Sequence, residues 1–408
     1  MATLFSRQWM RAHGAKVLVV AGFGIPAFIS ATGTLSGNGG ENRTMAALPP
    51  LTMNVGSVLA YPAQLDSWIN DHFGGRGGLI KLNNRVRYYL LREFSTVQMI
   101  SGRNGRVFLA AHGANQPPYA AILDACGPGP QREGQALSAR YLNTLIGDYR
   151  QMGFKPVMMI VPSAPVVEHQ DLPAWIGRRC ATDNTPVRNL IDSPLVEPAV
   201  RASILYPLAE MRYFKQDTAL FPKRWFHWSG PGLARVVDLT MPRLVGPSVP
   251  NVPALPTQTA VTESDVGHLF GGVHLRGPVT TPDFAAAGIN ACYGVGCYPE
   301  FGSAADKLID VSRFTNPKAP IARRLLILSD SFGSKIAGWY ARYYQRIEHV
   351  AGNDIPRLDQ PELDRVRAYL LRAPQDTDLL ILYHDGGAIN KAIRNGMRPL
   401  HSGKVGRE

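Results

Sequence analysis

Apolar residues recur at helical spacing in several stretches of the chain. Leu65, Trp68 and Ile69 mark one amphipathic segment, and a second pattern runs over about 79–94. Further on, Leu137, Tyr141, Leu142, Leu145, Ile146, Tyr149 and Met152 form a stripe that Gly153 stops. Residues 157–161 then make an unbroken apolar run closed by Pro162, the pattern of a strand covered on both faces. The runs 325–328 and 379–383 repeat it. Ile336, Trp339, Tyr340, Tyr343 and Tyr344 predict a helix after the first of these runs. A segment from Pro361 to about Arg372 predicts a helix before the second. Residues 106–110 read as a strand after a Gly-rich turn. This alternation predicts an α/β fold, a three-layer sandwich with a mostly parallel sheet and helices on both faces. Residues 245–320 show no strong period and read as a long, loop-rich insertion.

The beginning of the chain is patterned differently. Arg7, Arg11 and Lys16 precede an apolar or small stretch over 17–31, and no charge follows until Glu41. That order reads as a signal anchor, or a cleaved signal, with the basic end in the cytoplasm and the remainder exported. Pro26, Gly22 and Gly24 make the stretch a poor buried helix of a cytosolic protein. The expected organisation is a signal or anchor segment over 1–33, a linker rich in Gly, Ser, Asn and Pro over 34–50, and a folded body over 51–408. An even cysteine count in an exported chain reads as disulfides, and Cys126, Cys180, Cys292 and Cys297 allow three connectivities. Cys292 and Cys297 bracket a flexible Tyr-Gly-Val-Gly that closes a small ring, so the expected pairs are Cys292–Cys297 and Cys126–Cys180. A four-cysteine zinc site would need short Cys-x-x-Cys knuckles, which the sequence lacks.

Composition narrows the class. Hydrophobic residues are 45% of the 408, enough for a sizeable core and too many for a disordered chain. Gly 40 and Pro 32 against 18% charged residues point to long ordered loops and away from helical repeats or a coiled coil. The net charge is +12. The basic residues are scattered, without a Lys/Arg run or a nucleic-acid motif, so nucleic acid is not an expected partner. A basic surface does suit an anionic polymer.

The sharpest chemical feature is Leu328-Ser-Asp-Ser-Phe-Gly, between a predicted buried strand and a predicted helix. A serine on a tight strand-to-helix turn in a parallel sheet presents its hydroxyl at the strand ends, where the turn's N–H groups can hold an oxyanion. Ser331 is therefore a candidate nucleophile; the plainer role for this turn is a helix cap. A serine nucleophile needs a base. His227 stands out, flanked by Phe226 and Trp228 before a Gly-Pro-Gly loop; a histidine beside a tryptophan is also a common packed residue. His72, His112, His274 and His384 are weaker rivals. No metal-ligand spacing accompanies them, and no cofactor fingerprint is present.

Asp-Ser-Phe after an apolar strand resembles the Gly-Asp-Ser block of SGNH hydrolases. The chain order, with His227-Trp228 well before that block, resembles the periplasmic SGNH-like alginate O-acetyltransferase family, which acetylates exopolysaccharides such as alginate and cellulose. Glu41-Asn-Arg, Trp68-Ile-Asn-Asp-His-Phe-Gly-Gly-Arg, Ser101-Gly-Arg-Asn-Gly-Arg-Val-Phe, Val161-Pro-Ser and Asp171-Leu-Pro-Ala-Trp agree with it over nearly all of 41–390. The resemblance implies an SGNH-like fold with Ser331 as nucleophile and His227 as base. The family's orienting aspartate stands two residues before the histidine, and here that position is Trp225. Ser329 also stands where the family usually has glycine. Asp217, in Lys-Gln-Asp-Thr, looks like the displaced start of the motif and is the expected acid; the alternative is that another acid replaces it. The resemblance implies a polysaccharide acceptor, no cofactor, and a membrane-bound acyltransferase that passes acetyl groups across the inner membrane to a periplasmic assembly containing other subunits. Trp225, Trp228 and Trp339 are candidates for stacking on sugar rings. Two other readings share these residues: an acetylesterase with water as acceptor, and a non-catalytic glycan-binding or scaffolding subunit, which the missing acid favours.

Overall fold

The computed structural model of the protein describes residues 45–404, except 51, 53, 74, 114 and 129–131, together with parts of 13–28. The signal or anchor expected over 1–33, and the linker as far as 44, fall largely outside the described residues. No helix among those described is long and apolar enough to cross a membrane. The chain divides into two compact units, one of residues 1–95 with 267–274, the other of 96–266 with 275–408.

The first unit is a helix pair and a loop. Helix Val55–His72 starts at Asn54, whose side chain accepts from the Ser57 N–H. Helix Arg76–Val86 starts at Gly75, in a left-handed conformation at φ 77°, and continues through a π turn to Leu91. The 267–274 loop packs on this second helix. The carbonyls of Gly271 and Gly272 accept from Asn84 and Arg85, and Phe270 lies edge-on to Phe94 with ring centroids 4.8 Å apart.

The second unit contains all the strands: β1 (Met99–Ser101), β2 (Val107–Leu109), β3 (Pro156–Val161), β4 (Ile204–Leu205), β5 (Thr257–Glu263), β6 (Arg276–Pro282), β7 (Asn290–Tyr293), β8 (Val311–Thr315), β9 (Ile321–Ser329), β10 (Tyr344–Ala351) and β11 (Thr377–His384). Seven form one sheet in the order β4-β3-β11-β9-β10-β8-β7. It is parallel from β4 to β10, and β8 and β7 add antiparallel at one edge. The apolar runs of β3, β9 and β11 are its buried centre. Helix Arg132–Gln151 packs on β3, and helix Gly232–Val245 on β3 and β11. The result is a mixed α/β fold with a mostly parallel sheet.

The structure departs from the sequence pattern in two places. The stripe from Ile336 to Tyr344 is not one helix. A single turn, Gly333–Ile336, passes into a 3-10 segment, Ala337–Arg342, and Tyr344 already opens β10. The crossover from β9 to its parallel neighbour is short, and every residue of the stripe is buried, so helical spacing here reflects a tightly packed turn. The 245–320 stretch is also more ordered than a loop-rich insertion. It forms the antiparallel pair β5–β6 and supplies β7 and β8 to the sheet. Both expected disulfides are formed, Cys126–Cys180 and Cys292–Cys297, and no described cysteine is free.

Candidate active site

β9 ends in the sharp turn that carries Ser331. The Asp330 N–H still bonds the Leu382 carbonyl of β11 at 3.1 Å, after which the chain leaves the sheet. Asp330 then ties the turn down. Its Oδ1 accepts the Phe332 N–H at 2.9 Å, and its Oδ2 accepts the backbone N–H of His384 at 2.9 Å and the His384 Nδ1–H at 2.6 Å. Ser331 is left partly exposed between two buried neighbours. The Phe332 and Gly333 N–H groups are taken by Asp330. The Ser331 N–H has no hydrogen bond among the described residues, and so can donate to the carbonyl-derived oxyanion of an adduct formed at Ser331 Oγ.

Beneath the turn lies a second, buried hydrogen-bond chain. Ser329 Oγ donates to the Asp330 carbonyl at 2.6 Å and lies 2.8 Å from His349 Nε2; His349 Nδ1 lies 3.2 Å from Ser312 Oγ. The Ser329 hydroxyl has one proton, already given to the carbonyl, so Nε2–H is the donor and Nδ1 accepts from Ser312. Burial holds His349 neutral, its pKa lowered to about 3. A Cβ on Gly333 would overlap Ser329 Oγ, so this position has room only for glycine.

His227, the candidate base, comes from the segment before helix Gly232–Val245. The Trp228 indole N–H donates to the Phe332 carbonyl at 2.8 Å, and Phe226 meets the Phe332 ring edge-on at 5.3 Å. These contacts set His227, between them, against Ser331: Nε2 is 2.7 Å from Ser331 Oγ. Behind this segment, buried Arg106 donates to the Phe221 carbonyl and pairs with Asp171 and Glu168. The Ser101–Phe108 and Asp171 motifs of the sequence thus support the histidine segment from below.

The carboxylate that meets His227 is that of Asp265, just after β5. Its Oδ2 lies 2.6 Å from His227 Nδ1 and accepts the His227 backbone N–H at 2.9 Å, while Oδ1 accepts the Phe226 N–H at 2.9 Å. Burial opposes the charge on Asp265. The hydrogen bonds and charge of His227, with the two backbone N–H groups, outweigh that and lower its pKa below the usual carboxyl value. A carboxylate that only accepts fixes the proton on Nδ1 and leaves Nε2 to accept from the serine. Asp217, the acid expected from the sequence, is not brought to the histidine. It is two-thirds exposed and pairs with Arg235 at 2.6 Å. Asp265 lies 38 residues beyond His227, in a stretch with no periodic signal, and no motif spacing points to it.

The remaining candidates divide by environment. His384 belongs to the turn through Asp330. Burial disfavours its charge, but the Asp330 carboxylate outweighs this, with Asp385 and Asp124 adding, so its pKa is raised. His112 lies beside it, ring centroids 5.9 Å apart. His72 and His274 belong to the other unit. Trp228 and Trp339 are buried and not free to stack on a sugar; Trp225 is partly exposed. A cleft of about 520 Å³ lined by Arg150, Lys155 and Arg243 opens where β3 begins, at the N-terminal edge of the parallel strands, whereas Ser331 lies at their C-terminal edge. No group of side chains suited to a metal ion occurs among the described residues.

No family model matches the sequence, and no curated protein does. Similar solved structures include a DHHW family protein from Eubacterium siraeum, at 14% identity over 73% of this chain and 98% of that one, with a TM-score of 0.46. Bacillus cereus PatB1 aligns at 15% identity over 64% and 92% of the two chains, with a TM-score of 0.44. The O-acetyltransferase domain of Pseudomonas putida AlgJ aligns at 13% identity over 75% and 99%, with a TM-score of 0.40.

Proposed function

We propose that this chain is an O-acetyltransferase that moves acetyl groups onto hydroxyls of an exopolysaccharide through an acetyl-Ser331 intermediate. The observation that carries the reading is the continuous hydrogen-bonded series Ser331–His227–Asp265. The polysaccharide, a membrane-bound acyltransferase as acetyl source, and a periplasmic setting come from the motif resemblance, and the two disulfides fit an oxidising compartment.

Ser331 Oγ attacks the acetyl carbonyl of the donor while its proton passes to His227 Nε2. The oxyanion rests on the Ser331 N–H, and Asp265 stabilises the imidazolium that forms. The tetrahedral adduct collapses, the bond to the donor oxygen breaks, and His227 returns the proton to that leaving group. In the second half a sugar hydroxyl gives its proton to His227 and attacks acetyl-Ser331. Collapse expels Ser331 Oγ, which takes the proton back. Transfer outruns hydrolysis where the acceptor is held in place and water is kept from the acyl-serine. The one ground for a non-catalytic role was the missing acid, and Asp265 supplies an acid.

The test is intact mass after exposure to an activated acetyl ester, with and without an oligosaccharide acceptor, for the wild type and for Ser331→Ala and His227→Ala. An adduct of one acetyl that requires Ser331 and passes to the sugar is expected. An adduct lost only to water would make the protein an esterase. No adduct from folded protein would overturn the catalytic reading.

A further inference from the structure

The helix Arg76–Val86 and its π-turn continuation carry an exposed apolar stripe. Leu79, Leu82, Val86, Tyr89 and Leu90 recur every three or four residues and are 44–74% exposed. The other side of the helix is occupied: Asn84 is buried against the 267–274 loop, and Tyr88 lies against Phe94 and Phe270. An unburied stripe of this size calls for a partner.

The charges beside the stripe indicate which partner. At about 100° per residue, Arg85 borders the stripe on one side, where it also donates to the Gly272 carbonyl, and Arg87 borders it on the other; Lys81 lies further round, against Gly272. No acidic residue occurs over 72–92. Asp71, just before, is buried and accepts the Ala46 N–H. Glu93, just after, is 4.0 Å from Arg87. Two copies of the chain set face to face on this stripe would bring these cations together with only Glu93, already beside Arg87, to answer them. A bilayer surface with acidic headgroups answers them, while the leucines enter the acyl boundary and Tyr89 sits at the headgroup level.

We propose that this face of the helix rests on an anionic lipid surface. The proposal does not depend on the acetyltransferase reading, nor on the apolar stretch over 17–31. Its geometry is that of a helix lying in the plane of the interface, flanked by cations.

The test uses the full chain with Leu82→Cys, labelled with a polarity-sensitive fluorophore. The native cysteines are all in disulfides, so the new thiol is the labelling site. The control carries the label at Lys318→Cys, an exposed position of the other unit. Vesicles are phosphatidylcholine alone or phosphatidylcholine with phosphatidylglycerol. The expected result is a blue shift at position 82, not at 318, with at least tenfold tighter titration on the anionic vesicles. That preference should collapse in about 0.5 M salt, where the screening length is only a few ångströms, and in Lys81→Glu/Arg87→Glu. No shift at 82, or the same titration on phosphatidylcholine alone, would overturn the proposal. A shift that grows with protein concentration without vesicles would instead assign the face to a second copy.

Discussion

Asp265 grips His227 at two points with one oxygen, its ring Nδ1–H at 2.6 Å and its backbone N–H at 2.9 Å, and takes the Phe226 N–H with the other. The carboxylate therefore sets both the tautomer and the position of the imidazole. Asp265→Asn is expected to lower ester turnover by about four orders of magnitude with little change in KM, as loss of a triad acid does. Asp217→Asn, which removes only an exposed ion pair, is expected to leave turnover within twofold of wild type. Steady-state hydrolysis of an activated acetyl ester by both variants decides the matter.

Gly333 and Ser329 constrain each other. Gly333→Ala forces a methyl onto Ser329 Oγ, next to His349 Nε2. The expected cost is about 1–3 kcal/mol of overpacking. Ser329→Gly in the same chain should recover part of it, so the two changes cost less together than their sum. Denaturant melts of the single and double variants measure this coupling.

Two histidines beside the Ser331 turn give opposite pH slopes. His349 is neutral in the fold, with its pKa lowered to about 3, whereas the unfolded chain takes up that proton near 6.5. Its contribution is complete above about pH 6.5 and is lost as pH falls toward 3. His384 has its pKa raised by Asp330 despite burial. Its contribution is complete below about pH 6.5 and is lost as pH rises through the elevated folded value. Melting temperature against pH should therefore show a shallow acid-side loss that weakens in His349→Gln and an alkaline-side loss that weakens in His384→Gln.

The disulfides differ in the length of chain they close. Cys126–Cys180 spans 54 residues, including β3, and Cys292–Cys297 spans 5. Opening the first with Cys126→Ala/Cys180→Ala is expected to cost about 2–4 kcal/mol, and opening the second less, by the loop-entropy argument. Chemical melts of the two double variants give the comparison.

What the sequence made legible was what local pattern carries. β3, β9 and β11 are apolar runs, and burial on both faces is what writes such runs. Ser331 and His227, which the fold brings within 2.7 Å of each other, sit in local motifs that a linear reading can single out. β10 was not, because Glu348 and His349 interrupt it. Both are buried, but Glu348 pairs with Arg324 at 2.9 Å and His349 bonds Ser329, partners that only the folded sheet supplies. Asp265 was hidden for a related reason. Its role is a position in space at the end of β5, and nothing in the linear spacing fixes where in the chain such an acid must come from.

The strand order has a consequence for how the protein is made. β11 lies between β3 and β9, so the strand that delivers Ser331 cannot join the earlier half of the sheet until residues 377–384 have emerged. His384, the partner of Asp330 in the nucleophile turn, is the final residue of that strand. A chain that emerges N-terminus first thus holds Ser331 in an unfinished turn until residues 377–384 are available. The Ser331 turn is completed only after almost all of the polypeptide has emerged.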